Sequence, residues 1–193
     1  FRSLKLPTMS EFRYVEGWPY DAARNIGLKN MMDEQFGSIF FWDSDTIPPE
    51  DVVTRFMESG RDLIGALYTR RGPPFDPVAG CASYDKDGRN IGFKMPAHKQ
   101  GDIVPVDVLG MGATLISRRC IQMVMLKYAR PFAWGMDLAE VREADGTLIT
   151  RTSEDYFFCL RAKECGFQPW VHTGIQAQHE MSAVATPQGV QMP

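Results

Sequence analysis

Very little in this sequence would serve disulfide, zinc or histidine chemistry. Its four cysteines, Cys81, Cys120, Cys159 and Cys165, form no CxxC pair and no dense framework, which excludes a zinc ribbon or a stapled scaffold. They are expected as reduced, mostly buried thiols of a cytoplasmic chain. Histidine chemistry has three candidates only, His98, His172 and His179. No apolar run approaches the roughly 20 residues that span a bilayer, and the opening FRSLKLPTMSEF lacks the apolar centre of a signal peptide. Excess charge is also missing. With 21 Lys and Arg against 24 Asp and Glu, the net charge of -3 argues against a dedicated nucleic-acid binder. There is no internal repeat and no low-complexity segment.

What is present is ordinary globular composition, 44% hydrophobic and 23% charged over 193 residues. That length carries one real core, expected over residues 1–180, with 181–193 as a mobile tail. EFRYVEG reads as a short strand. Residues 21–35 read as a helix with Ala22, Ala23, Ile26, Met32 and Phe36 on one broad arc, stopped by Gly37. SIFFWD is short and continuously apolar, the pattern of a parallel strand buried on both faces. Pro48 and Pro49 suit the first turn of a helix running to Ser59.

DLIGALYT reads as a second buried strand. CASYDKDGRNIGF reads as a hairpin turning at Asp87-Gly88. IVPVDVLGMGATLIS gives two strand runs broken by Gly110 and Gly112, followed by a helix over 119–128. Asp145-Gly146 is the turn of a second expected hairpin. Ser153 caps a helix over 154–165 that Gly166 closes. PWVHT and IQAQH are two short closing strands. Strands alternate with helices and then give way to hairpins, so the expected class is an α/β sheet with mixed edges. In such sheets ligands lie beyond the carboxyl ends of the strands.

Asp43 and Asp45 stand at such an end. Two residues apart on an extended segment, both carboxylates could approach one hard cation. Alternatively, Asp45 or Thr46 only caps the helix that follows. Glu154 and Asp155 occupy the first turn of a helix, where the macrodipole steadies an ionised carboxylate suited to general-base work or merely to capping. His179 could complete a metal site or be a surface histidine near the terminus. His172 lies within a strand pattern and His98 in a polar loop. Gly110, Met111 and Gly112 mark a bulge or a close approach by a ligand, with the wrong spacing for a phosphate-binding glycine loop. Arg24 could reach a phosphate or sit on a solvated face.

Taken in order, GWPYDAARNIGLKN, IFFWDSDTIPPEDVV, VDVLGMGATLISRRCI, SEDYFFCLRAKECGF and IQAQH resemble the family-2 glycosyltransferases of the GT-A fold, over about residues 11–179. The resemblance implies a central, mixed but mostly parallel sheet flanked by helices. It implies that Asp43 and Asp45, as a DxD motif, with His179, hold Mn²⁺ or Mg²⁺ and with it the diphosphate of a UDP- or GDP-linked sugar. Asp45 would be the more direct ligand and Arg24 would lie near the nucleotide. Asp155 would be the catalytic base of an inverting transfer, with Glu154 as the fallback or an acceptor-binding group. Gly110, Met111, Gly112 and Trp134 would border the sugar and the acceptor, which is a glycan, a lipid or a protein.

The family's opening strand with its PTYN-like loop, its first helix and its base-reading second strand have no counterpart here. The expectation is therefore an N-terminally truncated sheet, whose open edge favours self-association. A non-catalytic nucleotide- or glycan-binding remnant of the same fold is the alternative. A metal-dependent phosphohydrolase or nucleotidyltransferase would leave the Glu154-Asp155 and glycine features unexplained.

Overall fold

The computed structural model describes residues 4–88, 90–134, 153–180, 184–186 and 189–191. The first regular element is α1 (Tyr20–Asp33), followed by β1 (Ser38–Trp42), β2 (Thr46–Ile47), α2 (Val52–Glu58) and β3 (Leu63–Leu67). Then come β4 (Ala79–Tyr84), β5 (Asn90–Lys94), β6 (Ile103–Pro105), β7 (Val108–Leu109) and β8 (Ala113–Ser117). Helices α3 (Arg118–Lys127) and α4 (Glu154–Glu164) precede β9 (Trp170–Gln176) and β10 (Gln178–His179). A last pair, β11 (Val184–Thr186) and β12 (Gly189–Gln191), forms an antiparallel ladder within the segment expected to be a mobile tail.

The main sheet has the order β1-β8-β3-β9-β6. Only β3 and β9 pair in parallel; β1 with β8, β8 with β3, and β9 with β6 are antiparallel. The fold is therefore mixed α/β with a mostly antiparallel sheet, and the expectation of a mostly parallel one is corrected. The physical reason is one inserted strand. β1 and β3 run the same way, but β8 returns between them and turns what would be a parallel neighbour pair into two antiparallel ones. The SIFFW run signals burial correctly and pairing direction wrongly, because burial on both faces does not depend on which way the neighbour runs.

Period-two alternation sorts the two faces. Phe41, Leu63, Ile116 and Val171 face a core built with Leu28 and Met31 of α1, Cys120, Ile121 and Val124 of α3, and Phe158, Cys159 and Ala162 of α4. Their immediate neighbours Phe40, Ile64, Leu115 and Trp170 face the other way, onto Val52, Val53 and Phe56 of α2. Three helices thus cover one face and α2 the other.

Local signals explain most boundaries. The Ser117 and Ser153 hydroxyls accept from the amides of Cys120 and Tyr156, capping α3 and α4. Gly166 takes the left-handed conformation (φ 87°) just past α4. α2 begins at Val52, after the two prolines rather than on them. EFRYVEG forms no strand. Arg13 is instead tied by its side chain to Glu11 and Glu34, and β8 already occupies the one paired side of β1. PWVHT and IQ merge into the single strand β9. The hairpin expected at Asp145-Gly146 lies outside the described residues. All four cysteines are free thiols, and among the described residues no helix is long and apolar enough to cross a membrane.

Candidate functional site

β1, β3 and β9 share a direction, so their carboxyl ends open on one side of the sheet. The amino end of the reversed β8 lies there too, Ala113 standing opposite Trp42. This single fact of topology gathers Asp43 and Asp45 after β1, Tyr68 to Arg71 after β3, His179 after β9, and Gly110 to Gly112 before β8. The amino terminus of α4 adds Glu154 and Asp155.

At the centre is Arg24, 7% exposed. Its guanidinium lies 3.0 Å from an Asp43 oxygen through Nη1, donates from Nη2 to the other at 3.1 Å, and donates from Nε to Asp155 Oδ1 at 3.2 Å. Burial opposes its charge, but the Asp155 and Asp43 carboxylates more than offset this and hold the guanidinium above its ordinary pKa. The other Asp155 oxygen accepts from the Met111 amide at 3.0 Å. Arg24 is thus a strut between two acids. Glu154, 5% exposed, is pushed up to about 7, first by burial and then by the neighbouring Asp155 charge.

The two aspartates of the DSD segment part company. Residues 43–46 form a turn, with the Thr46 amide donating to the Asp43 carbonyl at 3.0 Å, and not the extended segment expected. Asp43 therefore points to Arg24, while Asp45 pairs with Arg71 Nη1 at 2.9 Å. Among the described residues no group of three His, Cys, Asp or Glu side chains is placed to hold a metal ion, so Asp43, Asp45 and His179 do not converge as a set.

Asp45 and His179 do meet. The imidazole Nδ1 lies 2.8 Å from the Thr69 carbonyl oxygen, which can only accept, so Nδ1 carries the hydrogen. Nε2 then faces Asp45 Oδ1 at 3.5 Å. In the neutral ring this sets one lone pair against another, an arrangement that a cation or a proton between them relieves. β2 and β10 fix the pair, His179 lying opposite Thr46 in their short ladder.

The Gly-Met-Gly segment is buried throughout. A Cβ on Gly110 would overlap the Tyr68 hydroxyl, and one on Gly112 would lie 2.7 Å from Thr46 Oγ1 and 2.9 Å from Tyr68 Oη. The glycines are there to let β8 start against Tyr68, whose hydroxyl accepts from the Gly112 amide at 2.9 Å. Met111 contributes its amide to Asp155 rather than its side chain to a ligand. Trp134 is 45% exposed, just past Phe132, which Asn25 of α1 holds by two hydrogen bonds. His98 lies in a loop against the Pro96 carbonyl, and His172 lies on β9 next to Gly174, both apart from the gathered residues.

Two residues, Tyr68 and Arg71, were missed by sequence reasoning, and a third, Thr46, was read only as a helix cap. Tyr68 packs edge-to-face on His179 with ring centres 5.4 Å apart. Arg71 pairs Asp45. The Thr46 hydroxyl is buried with no hydrogen-bond partner among the described residues. The signal was available in LIGALYTRR: applying the carboxyl-end rule to β3 as well as β1 brings Tyr68 and Arg71 to the site.

No protein-family model matches the sequence, and no curated protein matches it. Among solved structures the chain is similar to the crystal structure of A197 from STIV, with a TM-score of 0.48 and 16% identity over 89% of this chain and 74% of that one.

Proposed function

We propose that this chain is a GT-A-like, family-2-type glycosyltransferase that moves a sugar from a UDP- or GDP-linked donor to an acceptor hydroxyl, with inversion, using a divalent cation. The observation that carries this reading is the facing pair of Asp45 and His179 beside the acids around Arg24, all at the carboxyl ends of β1, β3 and β9. A carboxylate oxygen and an imidazole nitrogen are a donor set suited to Mn²⁺, and Mg²⁺ and Mn²⁺ sites of this kind take their remaining ligands from substrate phosphates and water. Asp45 and His179 would hold the cation, which supplies a Lewis acid for the charge on the departing diphosphate.

The chain's own residues have separate tasks in this scheme. Asp155 accepts the proton of the attacking hydroxyl at a carboxylate oxygen, oriented by Arg24 and the Met111 amide. Glu154, buried and titrating near 7, is the second group able to take that proton. Arg71 on Asp45 is exposed and can turn from that carboxylate to a phosphate oxygen. Trp134 borders the acceptor. Among the described residues β1 pairs with β8 on one side only, which would leave a sheet edge for a second copy.

One observation favours a second reading, a nucleotide- or glycan-binding remnant without turnover. Arg24 is bonded to both Asp43 and Asp155, so each of these acids already has a cationic partner from within.

Calorimetric titration with UDP and GDP, with and without Mn²⁺, tests the proposal on the unmodified chain and on Asp45→Ala. Binding that requires both Mn²⁺ and Asp45, followed by sugar release or transfer that Asp155→Asn abolishes, is the expected result. Binding without turnover selects the remnant. No nucleotide binding by folded protein sinks the transferase and the nucleotide-binding form of the remnant.

A further inference from the structure

Three exposed aromatic rings border this same end of the molecule. Trp18 is 61% exposed and Tyr20 62%, and they flank Pro19, whose backbone is extended (φ -54°, ψ 145°). Tyr20 opens α1 and stands four residues before Arg24, so the two occupy one face of the helix. Arg24 in turn lies between Asp43 and Asp155. The third ring is Trp134. It is brought here because the segment before it is clamped to the first two turns of α1, Arg130 pairing with Asp21 at 2.7 Å and Asn25 bonding both the amide and the carbonyl of Phe132.

From this we infer that Trp18 and Tyr20, with Trp134, form the stacking platform for a pyranose ring of the acceptor, so that the acceptor is a glycan. The inference rests on the transferase reading and narrows its acceptor class. A pyranose offers a C–H face that packs on an aromatic face and a rim of hydroxyls that needs hydrogen-bond partners. Both halves are present: flat exposed rings, and at their border the Asp21–Arg130 pair, whose arginine side chain is 68% exposed.

The charge around the rings selects against the obvious competitors. Arg13 and Arg130 beside them are paired with Glu11 and Asp21, so the surface lacks the excess of cationic side chains that an anionic lipid surface calls for. Neither residues 11–19 nor residues 128–134 form a strand, so there is no sheet edge here for an added peptide strand. The distance to the chemistry is also right in kind: a ring stacked at Tyr20 lies one helical turn from the residue that holds Asp155.

The test is saturation-transfer NMR on the full chain with methyl β-glucoside, methyl α-mannoside, cellobiose and lactose as probes, alongside the Mn²⁺-UDP titration on the same samples. At least one sugar should receive saturation, concentrated on the hydrogens of one ring face. Trp18→Ala and Tyr20→Ala should each weaken that contact about fivefold or more. Tyr84→Ala, an equally exposed ring on the β4–β5 hairpin, should leave it unchanged.

No saturation of any probe, or unchanged contact in both ring variants, overturns the inference. If Mn²⁺-UDP still binds in that case, the transferase reading survives without this platform. Ring-dependent sugar contact without nucleotide binding supports the platform and removes the transferase. Ring-dependent binding to phosphatidylcholine vesicles in place of sugar assigns the rings to a membrane surface and overturns the inference.

Discussion

Arg24 lies in the second turn of α1 and Arg118 lies against its carboxyl end, and the sheet beneath them ends in two different kinds of surroundings. Arg118 donates to the carbonyls of Met31, Met32 and Phe36, reinforcing a helix end whose Met31 and Met32 carbonyls also accept from the Phe36 and Gln35 amides. Nearby, Ser117 and Arg119 both donate to Asp62. Every polar group there meets an ordinary structural partner. At the other end Arg24 is buried between two carboxylates, Glu154 is buried beside one of them, the Thr46 hydroxyl lacks a partner among the described residues, and His179 Nε2 lies 3.5 Å from an Asp45 oxygen. A fold that needed only stability would arrange both ends like the first. The difference is the reason for proposing the carboxyl ends of β1, β3 and β9 as the working end.

The sharpest way to break this contrast is to remove both arginines in turn. Arg24→Met should lower unfolding free energy by about 3 kcal/mol, because it leaves the partly buried Asp43 and Asp155 carboxylates without their shared cation. Arg118→Met, which leaves only neutral carbonyls with access to water, should cost about 1–2 kcal/mol. Urea midpoints measure both, and equal losses would erase the distinction.

Next in size is the pH dependence set by Glu154. Its folded pKa, about 7, is raised above the ordinary value of 4.5. The folded state therefore holds this proton more tightly, and the contribution is fully present below pH 4.5 and lost as pH rises through 7. Unfolding measured between pH 5 and pH 8 should show stability falling for the unmodified chain. Glu154→Gln should flatten that fall.

Gly112→Ala should cost about 2 kcal/mol, since the new methyl group meets Tyr68 and Thr46. Gly37→Ala, at the amino end of β1 where a Cβ meets open space, should change stability little. The smallest effect belongs to the opposite end. Arg119, exposed on its ion pair with Asp62, should leave the urea midpoint unmoved when replaced by alanine.

How much of this was legible depends on the range over which each signal acts. Ser153, Gly166 and the apolar periodicity act within a turn or two, and α1, α3, α4, β1 and β3 lie where those signals put them, although α1 most deeply buries Asp21, Arg24, Leu28 and Met31 rather than the arc of Ala22, Ala23, Ile26 and Met32. The insertion of β8 between β1 and β3 acts across the chain, and nothing in SIFFW records the direction of its neighbour. The site shows the same division. Asp43, Asp45, Asp155 and His179 were found because they end elements readable one at a time. That Asp43 turns to Arg24 while Asp45 turns to Arg71 depends on a four-residue turn, which was read as extended chain. Tyr68 escaped because a tyrosine after an apolar strand reads as core, and it is core. Its role comes from what packs on it.

The central claim is that Asp45 and His179 hold a cation together with a diphosphate at the working end. Electron paramagnetic resonance of Mn²⁺ titrated into the chain with UDP tests this most directly. The account predicts that the free-ion signal is lost on binding to the unmodified chain and to Arg119→Ala, and persists in Asp45→Ala and His179→Ala. A signal that behaves alike in all four proteins would contradict it.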